Sequence, residues 1–416
     1  MDITVHPSKL NGTVKAIGSK SDIHRIIICA MMAEGETVVR GIVKSKDVLA
    51  TIACIRALGA LVTLNDNECI IKPGKYAELP KLDCGESGST LRFLLPVTSA
   101  LCGGGYFTGS GRLPQRPIGE LVNAMTMGGV NFSSDHLPLT ITGKLKTGVY
   151  EIPGNISSQY ISGLLMALSI TPGESVIKLT SKLESSAYVD MTIDTLRRFG
   201  AEIEVYDNSY MIHGRKRLVS PKVIDADGDW SNSAFFLVSG AINGSVTVER
   251  LRFDSVQGDK KQADIIKEFG ASVNWNGNAL TVTANKLCGS TVDLTEIPDS
   301  LPVLAVMAAF SEGETRFTGG ARLRLKESDR LKTVYNMITA LGGKATELPD
   351  GLIVYGGGLT GGTVDGANDH RIVMAAAIAG VHCKEPVTIL GAEAVNKSYP
   401  DFFEDLKKLG GKCHVI

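Results

Sequence analysis

Hydrophobic and polar positions along the chain repeat in a unit of about seventy residues. In each copy a helical pattern ends on Leu, Phe or Met, then Gly, then Gly or Ala, and a strand-like alternation follows. Glycine directly after a helix supplies the left-handed conformation that ends it, and the alternating residues then predict a hairpin. The six positions are Leu58-Gly59-Ala60, Met127-Gly128-Gly129, Phe199-Gly200-Ala201, Phe269-Gly270-Ala271, Leu341-Gly342-Gly343 and Leu409-Gly410-Gly411. Six near-equal intervals predict six copies of one structural unit.

A second repeated pattern is a polar cluster with helix-cap residues, followed by a run of small apolar residues. The clusters are Gly18–Ser21, Gly85–Thr90, Gly154–Gln159, Asp227–Ser233, Ile297–Ser300 and Gly366–Arg371. The apolar runs are Ile26–Ala33, Leu91–Leu101, Gly163–Ile170, Ala234–Ala241, Leu301–Phe310 and Ile372–Val381. Because these runs are apolar on nearly all sides, they predict buried helices. Their polar N-termini are expected to face a common space that attracts anions.

These patterns predict an α/β protein in which each copy has two helices and four strands, with three copies in each of two domains. We place the chain crossings near Gly18 and Asp227. One domain then comprises residues 1–18 and 228–416, and the other comprises residues 19–227. The first strand, before the first helix, is expected to pair with the second half of the chain.

The amino-acid composition argues against several classes of protein. The chain has 416 residues, of which 44% are hydrophobic and 21% charged, so we expect a folded protein with sizeable cores. A formal net charge of -1 and 6% aromatic residues argue against a nucleic-acid binder. The N-terminus lacks signal-peptide features and no apolar run reaches the ~20 residues of a membrane span, which favours a cytoplasmic protein. The cysteines form no CxxC pair and the histidines no HExxH motif, so neither a disulfide framework nor a metal site is indicated.

The segment Arg324–Leu331 holds three cations and two carboxylates in eight residues. On a helix, its spacing would put Lys326 and Arg330 on one face, with Glu327 beside them. A carboxylate held among cations can move a proton beside an anionic substrate. The plainer interpretation is a solvated helix start with intrahelical ion pairs.

Three further segments carry anion-binding chemistry. Lys20 and Arg25 lie five residues apart at a helix start and suit a phosphate or carboxylate. The cluster Gly85–Thr90 with Arg92 predicts a backbone cradle for an oxyanion. The loop Gly109–Ile118 places two arginines in a stretch stiffened by glycine and proline. Each of these also fits an ordinary cap or a solvated loop.

Four more positions are candidates of the same kind. Ser157–Gln159 offers neutral hydrogen-bond donors, and Asp299 precedes an apolar helix. Asn368–Arg371 places an imidazole and a guanidinium at another helix start, and Lys397 follows later in the chain. For Asp299, helix capping is the plainer interpretation and a general base the alternative. Taken together, these helix starts predict a site for two anionic substrates.

Over its full length the chain resembles the EPSP synthase family, 3-phosphoshikimate 1-carboxyvinyltransferases of the enolpyruvyl transferase group. The matching motifs are Gly18-Ser19-Lys20-Ser21 with Arg25, the Gly88 cluster with Arg92, Arg116-Pro117-Ile118-Gly119, Ser157-Ser158-Gln159, Arg324–Leu331 and Asn368-Asp369-His370-Arg371. The resemblance implies two similar domains of three βαβαββ repeats around a pseudo-threefold, an inside-out α/β barrel, with the active site in the cleft between them. It implies transfer of the enolpyruvyl group of phosphoenolpyruvate to the 5-hydroxyl of shikimate 3-phosphate, a step towards chorismate and the aromatic amino acids.

The resemblance also implies roles for individual residues. It further implies that the reaction needs no metal or organic cofactor and that the protein acts as a monomer. Shikimate 3-phosphate would be bound by Lys20, Ser21, Arg25, Ser157, Ser158, Gln159, Ser185, Asp299 and Lys326. Phosphoenolpyruvate would be bound by Lys20, Gly88, Arg116, Gln159, Arg330, Arg371 and Lys397. Among the catalytic residues, Lys20 would contact both substrates and Asp299 would take the proton of the 5-hydroxyl. Glu327 would deliver a proton to the methylene carbon, and His370 would orient or tune Glu327.

Two alternatives remain beside this interpretation. The sister enolpyruvyl transferases act on UDP-N-acetylglucosamine and carry a reactive cysteine in the loop that here, at Gly109–Arg116, has none. A non-catalytic anion-binding scaffold is the other, although carboxylates such as Asp299 and Glu327 would weaken simple anion binding. The chain departs from the family pattern at Glu86, where a neutral amide is usual, and at Arg322, where some members have asparagine.

Overall fold

The structure, a computed structural model, describes all 416 residues and divides into two compact units. One unit comprises Met1–Ile17 and Asp227–Ile416, and the other comprises Gly18–Ala226. Each crossing of the chain lies one residue before the position expected from the repeats. We call the first the split unit and the second the inserted unit.

Twelve α-helices form, six in each unit. They are α1 (Lys20–Met32), α2 (Lys46–Ala57), α3 (Gly88–Cys102), α4 (Gly119–Met127), α5 (Ser158–Ser169), α6 (Ser186–Arg198), α7 (Trp230–Asn243), α8 (Gln262–Glu268), α9 (Leu301–Ala309), α10 (Arg330–Ala340), α11 (His370–His382) and α12 (Phe402–Lys408). Short 3-10 helices cover Leu113–Gln115, Gly258–Lys261, Pro298–Ser300, Ala321–Leu325 and Ala392–Lys397. The six helices predicted from apolar runs are α1, α3, α5, α7, α9 and α11, and their side chains are almost entirely buried. That prediction is confirmed.

The chain also forms 26 strands. They are β1 (Ile3–His6), β2 (Asn11–Lys15), β3 (Ala33–Glu34), β4 (Thr37–Arg40), β5 (Leu61–Leu64), β6 (Glu68–Lys72), β7 (Lys81–Asp83), β8 (Gly104–Thr108), β9 (Asn131–Phe132), β10 (Leu139–Thr142), β11 (Val149–Ile152), β12 (Gly173–Leu179), β13 (Glu202–Tyr206), β14 (Ser209–Gly214), β15 (Leu218–Val219), β16 (Val223–Asp225), β17 (Ser245–Glu249), β18 (Ser272–Asn276), β19 (Ala279–Thr283), β20 (Thr291–Asp293), β21 (Glu314–Thr318), β22 (Lys344–Leu348), β23 (Gly351–Tyr355), β24 (Gly362–Asp365), β25 (Val387–Leu390) and β26 (Lys412–Val415).

Six four-stranded sheets share one layout, a parallel pair followed by two antiparallel pairings. In the inserted unit the orders are β7-β8-β10-β9, β11-β12-β14-β13 and β16-β4-β6-β5. In the split unit they are β2-β17-β19-β18, β20-β21-β23-β22 and β24-β25-β1-β26. A two-stranded sheet, β15-β3, is the only addition. Three sheets of identical order in each unit confirm the predicted six copies.

Strands from distant parts of the sequence complete three of these sheets. β16 lies parallel to β4 and closes the first copy of the inserted unit. β2 lies parallel to β17, so the chain leaves the split unit after its second strand and returns at α7. β1 lies between β25 and β26, antiparallel to both. The expected pairing of the first strand with the second half of the chain is therefore confirmed.

None of the twelve helices combines the length and apolar character that crossing a lipid bilayer requires. The eight cysteines are all free thiols, and five of them are buried.

Candidate active site

A buried arginine at the start of α10 collects three carboxylates in the split unit. Nε and Nη2 of Arg330 donate to the two oxygens of Asp369 at 2.8 and 3.2 Å. Nη1 donates to Asp299 at 2.6 Å, and Nη2 also donates to Glu327 at 2.8 Å. The Arg330 side chain is 1% exposed. Four of its five N–H groups are therefore directed at carboxylates, and the guanidinium itself is shielded from water.

The charged segment around Arg330 does not form the single helix that its spacing suggested. Ala321–Leu325 is a 3-10 helix, Lys326 is extended, and the α-helix begins only at Arg330. The carboxylate of Asp329 accepts the backbone N–H of Lys332, which stops the helix from extending towards Glu327. The predicted shared helical face of Lys326 and Arg330 is wrong. Their charges meet instead on Asp299, which lies 3.3 Å from Nζ of Lys326.

Asp299 lies in the 3-10 turn Pro298–Ser300 and does not cap the helix that follows. Its carboxylate contacts Arg330 and Lys326, and Nη2 of Arg371 lies 3.6 Å from it. Burial by itself would raise the pKa of Asp299, but the positive charges of Lys326, Arg371 and Arg330 hold that pKa well below its usual range. The capping interpretation is wrong, and this carboxyl is ionised at neutral pH.

Asp369, Arg371 and Lys397 surround the start of α11. Asp369 is fully buried, accepts the N–H of Arg371 at 3.0 Å as the helix cap, and accepts the hydroxyl of Ser328 at 2.9 Å. Burial would raise the pKa of Asp369, but Arg330 and then His370 lower it. Nη2 of Arg371 donates to Ser231 at 2.8 Å.

Lys397 and His370 complete this side of the candidate site. Nζ of Lys397 donates to the carbonyl of Asn368 at 2.6 Å, and the lysine is 3% exposed. The His370 ring is buried, with Nδ1 3.9 Å from the carboxylate of Asp369. The structure thus groups Asp299, Lys326, Glu327, Arg330 and Arg371, and it puts Lys397 and His370 at the neighbouring helix start.

In the inserted unit, Lys20 and Arg25 lie on the first two turns of α1. Nζ of Lys20 forms an ion pair with Asp47 at 2.9 Å, and both side chains are mostly buried. Arg25 donates to Thr192 Oγ1, to the carbonyl of Ser21 and to the carbonyl of Tyr188 at 2.6–2.8 Å. Burial lowers the pKa of Arg25 to about 10, so it remains charged at neutral pH. Arg25 therefore ties the start of α1 to the start of α6.

A second group of residues surrounds Gly88, the first residue of α3. A Cβ atom there would lie 2.8 Å from Nη1 of Arg116 and 3.0 Å from Nη1 of Arg92. Arg92 also donates to Oε1 of Gln159 at 2.7 Å, and Nε2 of Gln159 donates to Ser89 at 2.9 Å. Glycine is thus required for two guanidinium groups to approach the backbone N–H groups at the helix start.

Serines also stand at the starts of α5 and α6. Ser157 caps α5, where its hydroxyl accepts the N–H of Gln159, and Ser158 is 7% exposed. Ser185 precedes α6 in the left-handed conformation, with a φ of 55°, and is 2% exposed. A left-handed conformation at a residue other than glycine is strained, and such strain concentrates at functional sites. These serines join Ser21 and Arg25 as candidate ligands of one helix-start surface.

Sequence reasoning missed three contacts that organise these groups. Asp369 was part of a recognised motif, but its role as the buried partner of Arg330 depends on a contact 39 residues away. Asp47 lies 27 residues from Lys20, and Arg92 lies 67 residues from Gln159. The local signal for the Lys20 partner was weak: Asp47 lies two residues after Ser45, which caps α2.

The two departures from the family pattern have defined surroundings. The half-buried carboxylate of Glu86 lies against Gly111, a glycine with a φ of 59°. Nη2 of Arg322 donates to the carbonyl of Thr295 at 2.9 Å. No group of three or more His, Cys, Asp or Glu side chains is arranged to hold a metal ion.

Comparison with known proteins decides the family. The sequence model described as EPSP synthase (3-phosphoshikimate 1-carboxyvinyltransferase) matches residues 5–406. The chain belongs to the EPSP synthase family. A 3-phosphoshikimate 1-carboxyvinyltransferase from Clostridium acetobutylicum is 42% identical over 423 aligned positions, which cover 99% of this chain and 98% of the relative. The family resemblance expected from the motifs is therefore confirmed.

Solved structures agree with this assignment. An EPSP synthase from Acinetobacter baumannii matches over 100% of both chains, with a TM-score of 0.82 and 28% identity. The enolpyruvyl transferase NikO from Streptomyces tendae matches with a TM-score of 0.84 over 99% of this chain and 98% of that one, at 18% identity. The second likeness shows the fold alone. Together they confirm the enolpyruvyl transferase fold of the EPSP synthase family for this chain.

Proposed function

We propose that this chain transfers the enolpyruvyl group of phosphoenolpyruvate to the 5-hydroxyl of shikimate 3-phosphate and releases inorganic phosphate. The observation that carries the proposal is the cluster in which Arg330 holds Asp299 and Glu327 together among Lys326 and Arg371. Two ionisable carboxylates beside several cations are what a proton-transfer reaction between two anionic molecules requires.

The reaction has two steps, and both require proton transfer. In the addition, the 5-hydroxyl oxygen bonds to C2 of phosphoenolpyruvate, its proton leaves, and a proton is added to C3, which becomes a methyl group. In the elimination, the bond between C2 and the phosphate oxygen breaks, C3 loses one proton, the double bond between C2 and C3 forms again, and phosphate departs with the proton that came from the hydroxyl. We propose that Glu327 adds and removes the proton at C3 and that Asp299 accepts the proton of the hydroxyl.

The low pKa of Asp299 agrees with this role only if the substrates change it. A carboxylate whose pKa lies well below its usual range is a weak base at neutral pH. Phosphoenolpyruvate and shikimate 3-phosphate both carry negative charge. When these anions bind to Lys326, Arg330 and Arg371, their charge would offset the positive charges that lower the pKa of Asp299. We therefore propose that substrate binding itself raises the basicity of Asp299 before the proton moves.

The remaining candidate residues are proposed as binding groups. Lys20, Ser21, Arg25, Ser157, Ser158, Ser185 and Lys326 would hold shikimate 3-phosphate, with Gln159 between the two substrates. Lys20, Gly88, Arg116, Arg330, Arg371 and Lys397 would hold phosphoenolpyruvate. His370 is proposed to act on Glu327 indirectly, through the Asp369 and Arg330 pair that it adjoins. The family resemblance also supports action as a monomer in the cytoplasm, which sedimentation velocity and cell fractionation test.

Running the reaction in D2O tests the addition and elimination steps. If C3 passes through a methyl group, proton NMR will show deuterium at the vinyl methylene of the product. Glu327→Gln should slow both product formation and deuterium incorporation by about 10²–10⁴-fold, the usual contribution of a general acid. Glu268→Gln, which changes an exposed carboxyl at the end of α8, is the matched control and should keep the unmodified rate. Product without deuterium would contradict the proposed sequence of steps.

A further inference from the structure

A chain of buried hydrogen bonds links helices α1, α2 and α3 of the inserted unit and ends beside Gly88. Nδ1 of His24 lies 2.7 Å from Oγ1 of Thr51, which lies 2.5 Å from Oγ1 of Thr90. Oγ1 of Thr90 donates to Oγ of Ser87 at 2.7 Å, and the N–H of Thr90 donates to the same oxygen at 3.2 Å. None of the four residues is more than 1% exposed. Water therefore cannot replace a lost hydrogen bond in this chain.

Counting protons fixes the direction of the chain. Thr90 has one hydroxyl proton, and it is given to Ser87. Thr51 then donates to Thr90 at 2.5 Å in preference to the carbonyl of Asp47 at 3.4 Å, and since Thr51 has only one hydroxyl proton, Nδ1 of His24 donates to Thr51. The imidazole is thus the Nδ1–H tautomer, and its Nε2 has no hydrogen-bond partner in the protein.

The surroundings of His24 keep the ring neutral, as this direction allows. Burial, followed by the positive charges of Lys20 and Arg25, holds the pKa of His24 well below its usual range. Lys20 and Arg25 lie on the same helix as His24, and Asp47, the partner of Lys20, lies on the helix of Thr51. The hydrogen-bond chain therefore starts at His24, one helical turn after Lys20, which is proposed to contact both substrates.

The hydrogen-bond chain ends at the residue that caps α3. Ser87 is that cap, and Gly88, the next residue, underlies the guanidinium groups of Arg116 and Arg92. We infer that His24, Thr51 and Thr90 are positioning residues that hold the Ser87 cap, and with it the first turn of α3, in the place where Gly88 and Arg116 bind phosphoenolpyruvate. This inference rests on the proposed function, because it takes the ligand at Gly88 from that proposal.

Steady-state kinetics of Thr51 variants test the inference. Thr51→Val keeps the shape of the side chain but breaks the chain in its middle, whereas Thr51→Ser keeps the hydroxyl. We expect Thr51→Val to raise the KM for phosphoenolpyruvate about tenfold, roughly the effect of one buried hydrogen bond, and to leave the KM for shikimate 3-phosphate within about twofold. Thr51→Ser should restore the KM for phosphoenolpyruvate.

Thr98→Val is the matched control. Thr98 lies on the same helix α3 and is fully buried, but its Oγ1 has no hydrogen-bond partner, so its removal should change neither KM. Should Thr51→Val fail to fold, His24→Asn and His24→Leu replace it: asparagine can present an N–H close to the Nδ1 position, and leucine cannot. Only the leucine variant should then raise the KM for phosphoenolpyruvate.

The outcomes separate this inference from the proposed function. Unchanged KM values in the chain-breaking variants, or equal increases for both substrates, would overturn the positioning role while the unmodified enzyme still releases phosphate. Absence of phosphate release by the unmodified enzyme would overturn the proposed function and this inference with it.

Discussion

Replacing Arg330 by lysine removes the fork that joins three carboxylates while keeping the positive charge. Arg330 makes four charge-assisted hydrogen bonds of 2.6–3.2 Å to Asp299, Glu327 and Asp369. A lysine ammonium is a point donor that cannot reach all three groups, so we expect about two of the four bonds to remain. Each lost bond to a charged group is worth about 1.5–3 kcal/mol, which gives a loss of about 4 kcal/mol in the free energy of unfolding.

The assay is thermal unfolding of the two purified variants Arg330→Lys and Arg324→Lys. For a unit of this size, 1 kcal/mol shifts the unfolding midpoint by about 2–4 °C, so Arg330→Lys should lower it by about 10 °C. Arg324 also pairs with two carboxylates, those of Asp329 and Glu347, but its side chain is 29% exposed. Its replacement should cost no more than about 1 kcal/mol. Equal shifts in the two variants would refute the reasoning that burial and the fork geometry make Arg330 special.

Three further predictions concern other parts of the chain. Gly88→Ala should raise the KM for phosphoenolpyruvate at least tenfold with little change in the KM for shikimate 3-phosphate, because the added Cβ would displace the Arg116 guanidinium; unchanged kinetics would contradict this. Folding lowers the pKa of Asp299, so its ionised form stabilises the protein above its unfolded pKa of about 3.9, and this stabilisation is lost as the pH falls below that value. In urea unfolding, the stability of Asp299→Asn relative to the unmodified protein should therefore rise only below about pH 4. Burial lowers the pKa of His382 to about 4, so the unfolded state takes up a proton first as the pH falls below about 6.5, and this histidine should reduce stability by about 1.5 kcal/mol between pH 6.5 and 5. His382→Gln, which can keep a hydrogen bond to Ser239, should lack that loss, and an identical pH profile would contradict the assignment.

The repeat pattern predicted the fold because its signals are local. Five of the six first glycines after the helices have a positive φ between 78° and 115°, including Gly59 and Gly270, and in the second copy Gly129 takes that role with a φ of 90°. Helix ends of this kind are set by backbone sterics within a few residues. The spacing of the glycines was therefore enough to count six units without knowledge of any contact between them.

The arrangement of the charged groups could not be predicted in the same way. A cap looks alike at Asp329 and Asp369, yet the first is solvent-facing and the second is a buried partner of Arg330. The spacing of Lys326 and Arg330 fitted a helix, but three carboxylates around one guanidinium require the backbone to turn between them. Contacts between residues 27 to 67 positions apart decide such sites, and no local pattern records them.

Phosphate release with two competing acceptors tests the central claim most directly. The purified protein is mixed with phosphoenolpyruvate and either shikimate 3-phosphate or UDP-N-acetylglucosamine, and inorganic phosphate is measured over time. We predict release with shikimate 3-phosphate only, and its loss in Glu327→Gln. Release with the nucleotide sugar alone, or with neither acceptor, would contradict the account.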